Sequence, residues 1–593
     1  MCTSLSRPMT LASIAGAILL TTLPVAAQQY VLNTPRTPVA LDFTAFDAES
    51  RPVTDLSPAD LTVRIDGRTR QLQSLQWVAA DTSRIPPPFG TNMRTSDSRA
   101  VLLIIEDESL KPGREQAIKT DVRTFLRALG ANDRVAVLTL PYGGMKSDFT
   151  SDHDRVLAAV DSITGRAPQS ESANDAGCRT RGTLVSLAST LDSIIATDAP
   201  LSVVLFTGGL VPPRGMVSMS STPTDIPGVS YFNTIGTCEV LPDHYQAIAE
   251  STARSRAQWF VIQPDLTSDA IGRPGLEHLT GLTGGPLWNL DGEQGGALAR
   301  VAAQTAGFYR ATLIPEPNES PEVVRGLAVS ALRPGITIRH RPRVQLLSSV
   351  EGSPQSTSSL MDLMRTIKEV RDLHLRVAAT TARHADGQVK LLVQFEAPDV
   401  REVVAPMVSL FDATGRMVVS NTAKPEELSG RNSGILAVTA PEGRYRMRLA
   451  AAAPSPDNSL RMGTVDLDVE VGLTTVGPLR LSGLVLGQAR PEGFTPKLEF
   501  QSEVSAVAMV ELYGGAAGAQ VGVAVEVVRP SDGAPLATMP GIFTPTSEPD
   551  KFLVTATIPV GALPPGDYLV RVLIKAGDSV GQVTRTLRKL PTR

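Results

Sequence analysis

From Ala100 to Ala306 the chain alternates between short apolar runs and segments whose apolar residues recur every three or four positions. The first run, Val101 to Ile105, ends on Glu106 and Asp107. After Pro112-Gly113 a helical stretch carries Ile118, Val122, Phe125, Leu126 and Leu129 on one face, and Gly130 stops it. A strand without polar alternation is buried on both sides, the condition met where helices cover both faces of a parallel sheet. The pattern continues with strand 134–140, helices 154–163 and 183–195, strand 201–207, helix 243–255, strand 258–263 and helices 276–283 and 296–306. It predicts a doubly wound, mainly parallel α/β sheet over residues 99–306.

A chain of 593 residues has room for three to five such domains, and its 48 Gly and 45 Pro favour many short strands joined by turns elsewhere. Residues 28–98 read as an N-terminal β segment and linker: Val39 to Asp47 and Leu61 to Leu75 alternate as strands do, the second around an Asp66-Gly67 hairpin turn, and Ala80 to Ser98 is the linker. Residues 307–350 return to strands, Phe308 to Ile314 and Gly335 to Val344. The two β segments are expected to meet in one small β-sandwich that carries the α/β domain as an insertion. Residues 351–375 read as a polar linker followed by a helix from Ser359 to Leu373. Two β-sandwich modules of the immunoglobulin-like kind, 376–474 and 475–593, are expected next. They share Gly443-x-Tyr445-x-x-Arg448 and Gly566-x-Tyr568-x-x-Arg571, each with a proline just ahead.

Residues 1–27 have the grammar of a signal peptide: Arg7, an apolar run from Met9 to Leu23, then Val25-Ala26-Ala27. The run is shorter than a spanning helix needs, so the mature chain is expected to be exported, periplasmic or extracellular, with no membrane insertion. Cleavage leaves Cys178 and Cys238 in a compartment that permits disulfides, and two cysteines allow one pairing. The net charge of −4, without a block of like charge, argues against nucleic acid as a partner. There is no HExxH or CxxC, and the six histidines are scattered, so an enzyme is not expected.

In an open parallel sheet, ligands bind beyond the carboxyl ends of the strands, where Glu106-Asp107-Glu108-Ser109-Leu110-Lys111 stands. Together with Asn132-Asp133-Arg134-Val135, Phe149 to Asp152, Gly182-Thr183, Val203 to Gly209 and Leu282 to Gly285, this segment resembles a von Willebrand factor A domain. More narrowly, residues 39 to 345 are similar to the exported "VWFA-related" proteins described from acidobacteria, which have segments like Pro52 to Gly67 before the domain and Phe308 to Leu313 after it.

The resemblance implies a metal-ion-dependent adhesion site holding a divalent cation, Mg²⁺ or Ca²⁺. Asp107, Ser109 and Thr183 match its pattern; Lys111 stands for the last serine and Gly208 for the second aspartate. A hard cation wants oxygen ligands and negative charge, and both departures oppose it. An ammonium about 4 Å from a divalent ion repels it by roughly 8 kcal/mol at an effective dielectric near 20. Lys111 is expected either to point away or to pair with Asp107 in the metal's stead. Strand alternation is expected to send Glu106 and Glu108 to the side opposite Asp107.

Gly208 to Pro242 is long for a strand-to-helix connection. Cys178, placed in the loop before the Thr183 helix, would tie Cys238 and this insertion over the site. Met216, Met219, Tyr231 and Phe232 give the insertion a partner-binding character. The expected role is non-catalytic protein recognition without a cofactor; the alternative is an envelope scaffold whose A-domain face binds nothing.

Overall fold

The computed structural model describes residues 38–80, 89–93, 98–194, 200–214, 238–264, 272–290, 296–316, 319–346 without 321, 360–365, and 370–591 with gaps of seven residues or fewer. The expected signal segment, and Met216, Met219, Tyr231 and Phe232, lie outside the described residues.

The α/β unit contains strands β1 (Ala100–Ile105), β2 (Arg134–Thr139), β3 (Gly144–Thr150), β4 (Leu201–Phe206), β5 (Ala257–Gln263) and β6 (Leu287–Asn289). Its helices are α1 (Glu115–Ala128), α2 (His153–Asp161), α3 (Ala173–Ser193), α4 (Pro242–Ser255), α5 (Arg273–Thr283) and α6 (Ala297–Gln304). The strands lie in the order β6-β5-β4-β1-β2-β3, parallel except for β2 against β3. Along β1, Val101, Leu103 and Ile105 pack with α1, α2 and α6, while Leu102 and Ile104 pack with α3, α4 and α5. Helices therefore cover both faces, which is why β1 has no polar position. Strand order reverses between β1 and β4, the place where a doubly wound sheet opens a crevice.

Three elements depart from the sequence expectation. The antiparallel edge strand β3 and the short β6 were not foreseen. Helix α3 begins ten residues before Thr183, because the Ser172 hydroxyl accepts a hydrogen bond from Asp175 N (3.1 Å) and starts the helix there. Cys178 thus stands on a helix rather than in a loop.

The strands before and after this unit share a sheet. Val39–Phe46 pairs antiparallel with Gly307–Leu313 and Thr337–Arg339, and Ser74–Ala79 lines the far side of Gly307–Leu313. A second sheet holds Arg343–Gln345, Val324–Ala331, Leu61–Ile65 and Arg68–Arg70. Leu41, Phe43, Val63, Ile65, Tyr309, Leu327 and Val329 fill the space between them. The hairpin turn is at Asp66-Gly67, where both residues have positive φ (48° and 79°).

Two further β-sandwiches follow. The first packs Ser433–Ala440, Val389–Glu396 and Arg376–Arg383 against Met417–Thr422, Val404–Phe411, Gly443–Pro454 and Leu460–Val471. The second is built around Ala506–Tyr513, Lys551–Ile558, Val521–Val528, Gly566–Ala576 and Ser579–Lys589. The repeated motif does the same work in each. Tyr445 donates its hydroxyl to the carbonyl of Pro441 (3.0 Å), and Tyr568 does so to Pro564 (2.8 Å). Arg448 and Arg571 pair with the carboxylates directly across the strand, Asp466 (2.6 Å) and Glu526 (2.8 Å).

Two linker expectations need correction. Within the stretch 80–98, Gly90–Thr91 adds an edge strand to the first of these sandwiches beside Arg376 and Val377. The buried Asn92 side chain donates to the carbonyls of Leu373 (2.8 Å) and Val370 (3.1 Å) and accepts from Leu375 N (2.8 Å). The helix expected to reach Leu373 is described only over Leu360–Arg365, where Leu363 and Met364 pack on Ala450; residues 370–375 are not helical. The same sandwich docks on the α/β unit through Arg446–Asp148 (3.0 Å), Arg444–Asp152 (3.2 Å) and a hydrogen bond from the Thr150 hydroxyl to Asp468.

Candidate functional site

At the switch point, β1 ends on Ile105, and Glu106 (φ −80°, ψ 77°) leaves the extended conformation for a turn over Asp107–Ser109. Glu106 continues the face of Leu102 and Ile104 toward α3, the side opposite Asp107 that strand alternation predicts, whereas the turn brings Glu108 to the Asp107 side, beside Arg166. Glu106 has no exposed surface, nor do Thr183 and Thr207. Its Oε1 accepts hydrogen bonds from Thr183 Oγ1 (2.7 Å) and Arg179 Nη1 (2.7 Å), and its Oε2 accepts from the Thr207 hydroxyl. Arg179 and Thr183 are four residues apart on α3, so one helix face delivers both donors.

Arg179 also donates to both oxygens of Glu171 (2.8 and 3.0 Å) and to the carbonyl of Gly209 (3.1 Å). Burial pushes its pKa down, but the charges of Glu106 and Glu171 outweigh burial and raise it, so it is a permanent cation. Burial, then the Glu106 charge, raises the Tyr245 phenol, whose hydroxyl donates to the Val211 carbonyl (2.7 Å).

Asp107 is separate from this network. Its Oδ2 accepts from Arg166 Nε (3.0 Å) and Nη2 (2.5 Å), and the Arg166 backbone N donates to its carbonyl (2.8 Å). That hydrogen-bonded pairing raises the half-exposed Arg166, which also lies 3.6 Å from Glu108. Lys111 is exposed, and Arg166 rather than Lys111 neutralises Asp107. Ser109 Oγ donates to the Glu106 carbonyl (2.7 Å) and accepts from Gly208 N (2.8 Å). A Cβ built on Gly208 would press into the carbonyl oxygen of Ser109, so the place where the resemblance puts an aspartate admits no side chain. Thr207, one residue earlier and not singled out in the sequence, is the residue of this loop that reaches the carboxylate.

Asp107, Ser109 and Thr183 thus share one sheet edge without converging on one point. Asp107 Oδ1 is a buried oxygen with no hydrogen-bond partner among the described residues, but its neighbour is a guanidinium. The hydroxyls of Ser109 and Thr183 are engaged by protein groups, and no cluster of three or more His, Cys, Asp or Glu able to hold a metal occurs among the described residues. The residues do not fit the divalent cation that the resemblance implies; the positive charge is supplied by Arg179 and Arg166.

Cys178 and Cys238 form a disulfide (Cα–Cα 4.7 Å) that fastens the first half of α3 to the segment entering α4. No helix among the described residues is long and apolar enough to cross a membrane.

No protein-family model matches the chain, and no curated protein matches it. Among solved structures, a four-domain ectodomain fragment of ICAM-5 overlaps 48% of the chain at 11% identity and a TM-score of 0.14. The overlap spans 64% of that fragment. An endo-fucoidan hydrolase of glycoside hydrolase family 107 overlaps 87% of the chain and 97% of its own length at 9% identity and a TM-score of 0.13. Neither likeness is close enough to assign a fold or a function.

Proposed function

We propose that this is an exported, non-catalytic recognition protein of the von Willebrand factor A type, with immunoglobulin-like modules behind it, whose contact surface is the sheet edge around Asp107, Ser109, Thr183 and the 208–242 insertion. The observation that carries this reading is the Arg179–Glu106 pair at the switch point. Residues at the adhesion-site positions gather where a doubly wound sheet binds ligands, yet their charge is balanced from within by guanidinium groups. Such an edge is a preformed surface with no hole to fill, suited to a protein partner and to binding without metal. Export rests on the N-terminal segment and on the Cys178–Cys238 bond, which persists in oxidising compartments.

The test replaces residues 212–237 by a short Gly/Ser linker and cross-links wild type and variant to envelope and extracellular fractions. A partner captured by wild type in the presence of EDTA and lost from a variant with an unchanged unfolding transition supports recognition. Identical capture profiles favour the second reading, a scaffold. That reading draws on the ion pairs Arg446–Asp148 and Arg444–Asp152, which fix the first β module against the α/β unit as in a load-transmitting strut.

A further inference from the structure

Away from this edge, the sandwich and the α/β unit meet over a charge imbalance. On the strand Val39–Phe46, Leu41, Phe43 and Ala45 enter the sandwich core, so Asp42 and Thr44 face the other way, and both are buried. Asp42 accepts from Arg256, the left-handed residue that ends α4, through Nε (2.9 Å) and Nη2. Arg310 is the cross-strand neighbour of Asp42, with its Nε 3.7 Å from Asp42 Oδ1, beyond hydrogen-bond reach. Arg341, 2% exposed, donates Nη1 to the carbonyl of Arg256 (3.1 Å). Beside them, Arg339 has the neutral Gln304 as its hydrogen-bond partner and lies over Phe46 and Trp288.

One carboxylate thus faces three guanidinium groups. Arg310 Nε and Nη2 and Arg341 Nε are buried donors with no hydrogen-bond partner among the described residues, and Asp42 Oδ1 is a buried acceptor in the same state. Burial lowers the Arg341 pKa to about 10, with the Asp42 charge opposing the shift and the Arg256 charge adding to it. Buried charges are ordinarily paired, and buried N–H groups bonded. A water molecule satisfies donors but leaves the surplus positive charge; an anion does both.

We propose that Arg310, Arg341 and Arg256 form a buried site for a small inorganic anion, a halide such as chloride, that locks the sandwich against the end of α4. A small ion suits donors whose atoms expose no surface, and a spherical one accepts N–H groups from several directions at once.

The experiment follows thermal unfolding of the full chain in sodium chloride and in sodium gluconate at matched ionic strength. Chloride is expected to raise the midpoint saturably, by about 2 °C or more, and gluconate, too large to enter, is expected not to. In Arg310→Gln the chloride-dependent rise falls by more than half. Equal midpoints in the two salts, or a rise unchanged in Arg310→Gln, overturn the proposal. Should that variant not fold, crystals of the wild type grown in bromide decide: an anomalous peak between Arg310 and Arg341 supports the site, and its absence overturns it.

Discussion

Thr207 donates its hydroxyl to Glu106 across the gap between β4 and β1, closing a ring of donors around a carboxylate that has no contact with water. The ring joins two strand ends and α3 through one charged group, and Arg179 is the cation that makes its burial tolerable. Breaking one side of a buried pair leaves the other charge uncompensated. Glu106→Gln is therefore expected to cost about 3 kcal/mol in urea unfolding. The double variant Glu106→Gln/Arg179→Met should recover more than about 1 kcal/mol of what the two single changes cost together. Strict additivity would show that the two side chains are not coupled.

Restoring the adhesion-site pattern by Lys111→Ser/Gly208→Asp should not create a metal site. The new side chain at 208 has to displace the Ser109 carbonyl, and Arg166 still holds Asp107. The expected outcome is a loss of roughly 1 to 3 kcal/mol of stability with no heat of Mg²⁺ binding by calorimetry. Stoichiometric Mg²⁺ binding by a folded double variant would contradict it.

The Cys178–Cys238 bond closes a loop spanning a sequence separation of 60. On the chain-entropy account, removing it by Cys178→Ser/Cys238→Ser costs about 4 kcal/mol, read as a lower guanidinium midpoint that added reductant no longer changes.

His340 reports on acid. Its Nε2 accepts from Val329 N (3.2 Å) and its Nδ1 donates to the Arg341 carbonyl (2.8 Å), a pattern only the neutral imidazole satisfies. Burial, reinforced by the Arg341 charge, holds its pKa below 6.5 in the folded protein. The unfolded chain therefore takes up the proton first. The stability His340 contributes is complete above pH 6.5 and is lost as the pH falls from there through the depressed folded value. The difference in unfolding free energy between wild type and His340→Gln should shrink across that window; a constant difference from pH 7.5 to pH 5, about the range of an unperturbed histidine, would show that His340 does not titrate with unfolding.

Tyr445→Phe and Tyr568→Phe each remove one hydrogen bond to a proline carbonyl four residues back. Each is expected to cost about 1 kcal/mol, in the transition of its own sandwich, without altering metal or partner binding.

The α/β unit was legible because its signal is physical and local. Residues such as Val101 to Ile105 are apolar without interruption because helices cover both their sides, and Ile118, Val122 and Phe125 mark the buried face of α1. The duplicated Gly-x-Tyr-x-x-Arg motif was legible for the same reason, since its tyrosine and arginine act within a few residues or one strand away. What escaped depends on distant partners or on a break in regularity. The donors that make the burial of Glu106 tolerable come from α3 and the end of β4, and no periodicity of β1 states that. Thr207 gains its role from α3 and β1 together. The polar stretch before Ala100 has the composition of a linker, and the partners that make Asn92 part of a fold, Val370, Leu373 and Leu375, lie far along the chain.

Thr91 bonds the carbonyl of Leu375 across 284 positions, and at ordinary rates of synthesis a ribosome needs roughly a quarter of a minute to a minute to cover that interval. Throughout that time the fragment holding Phe89 and Asn92 has been made while its acceptors have not, so it must wait in an unsheltered form. Maturation of this chain is consequently a matter of timing: the last-made half completes the first, and a nascent product released early would be left with an unmated edge rather than with a smaller working protein.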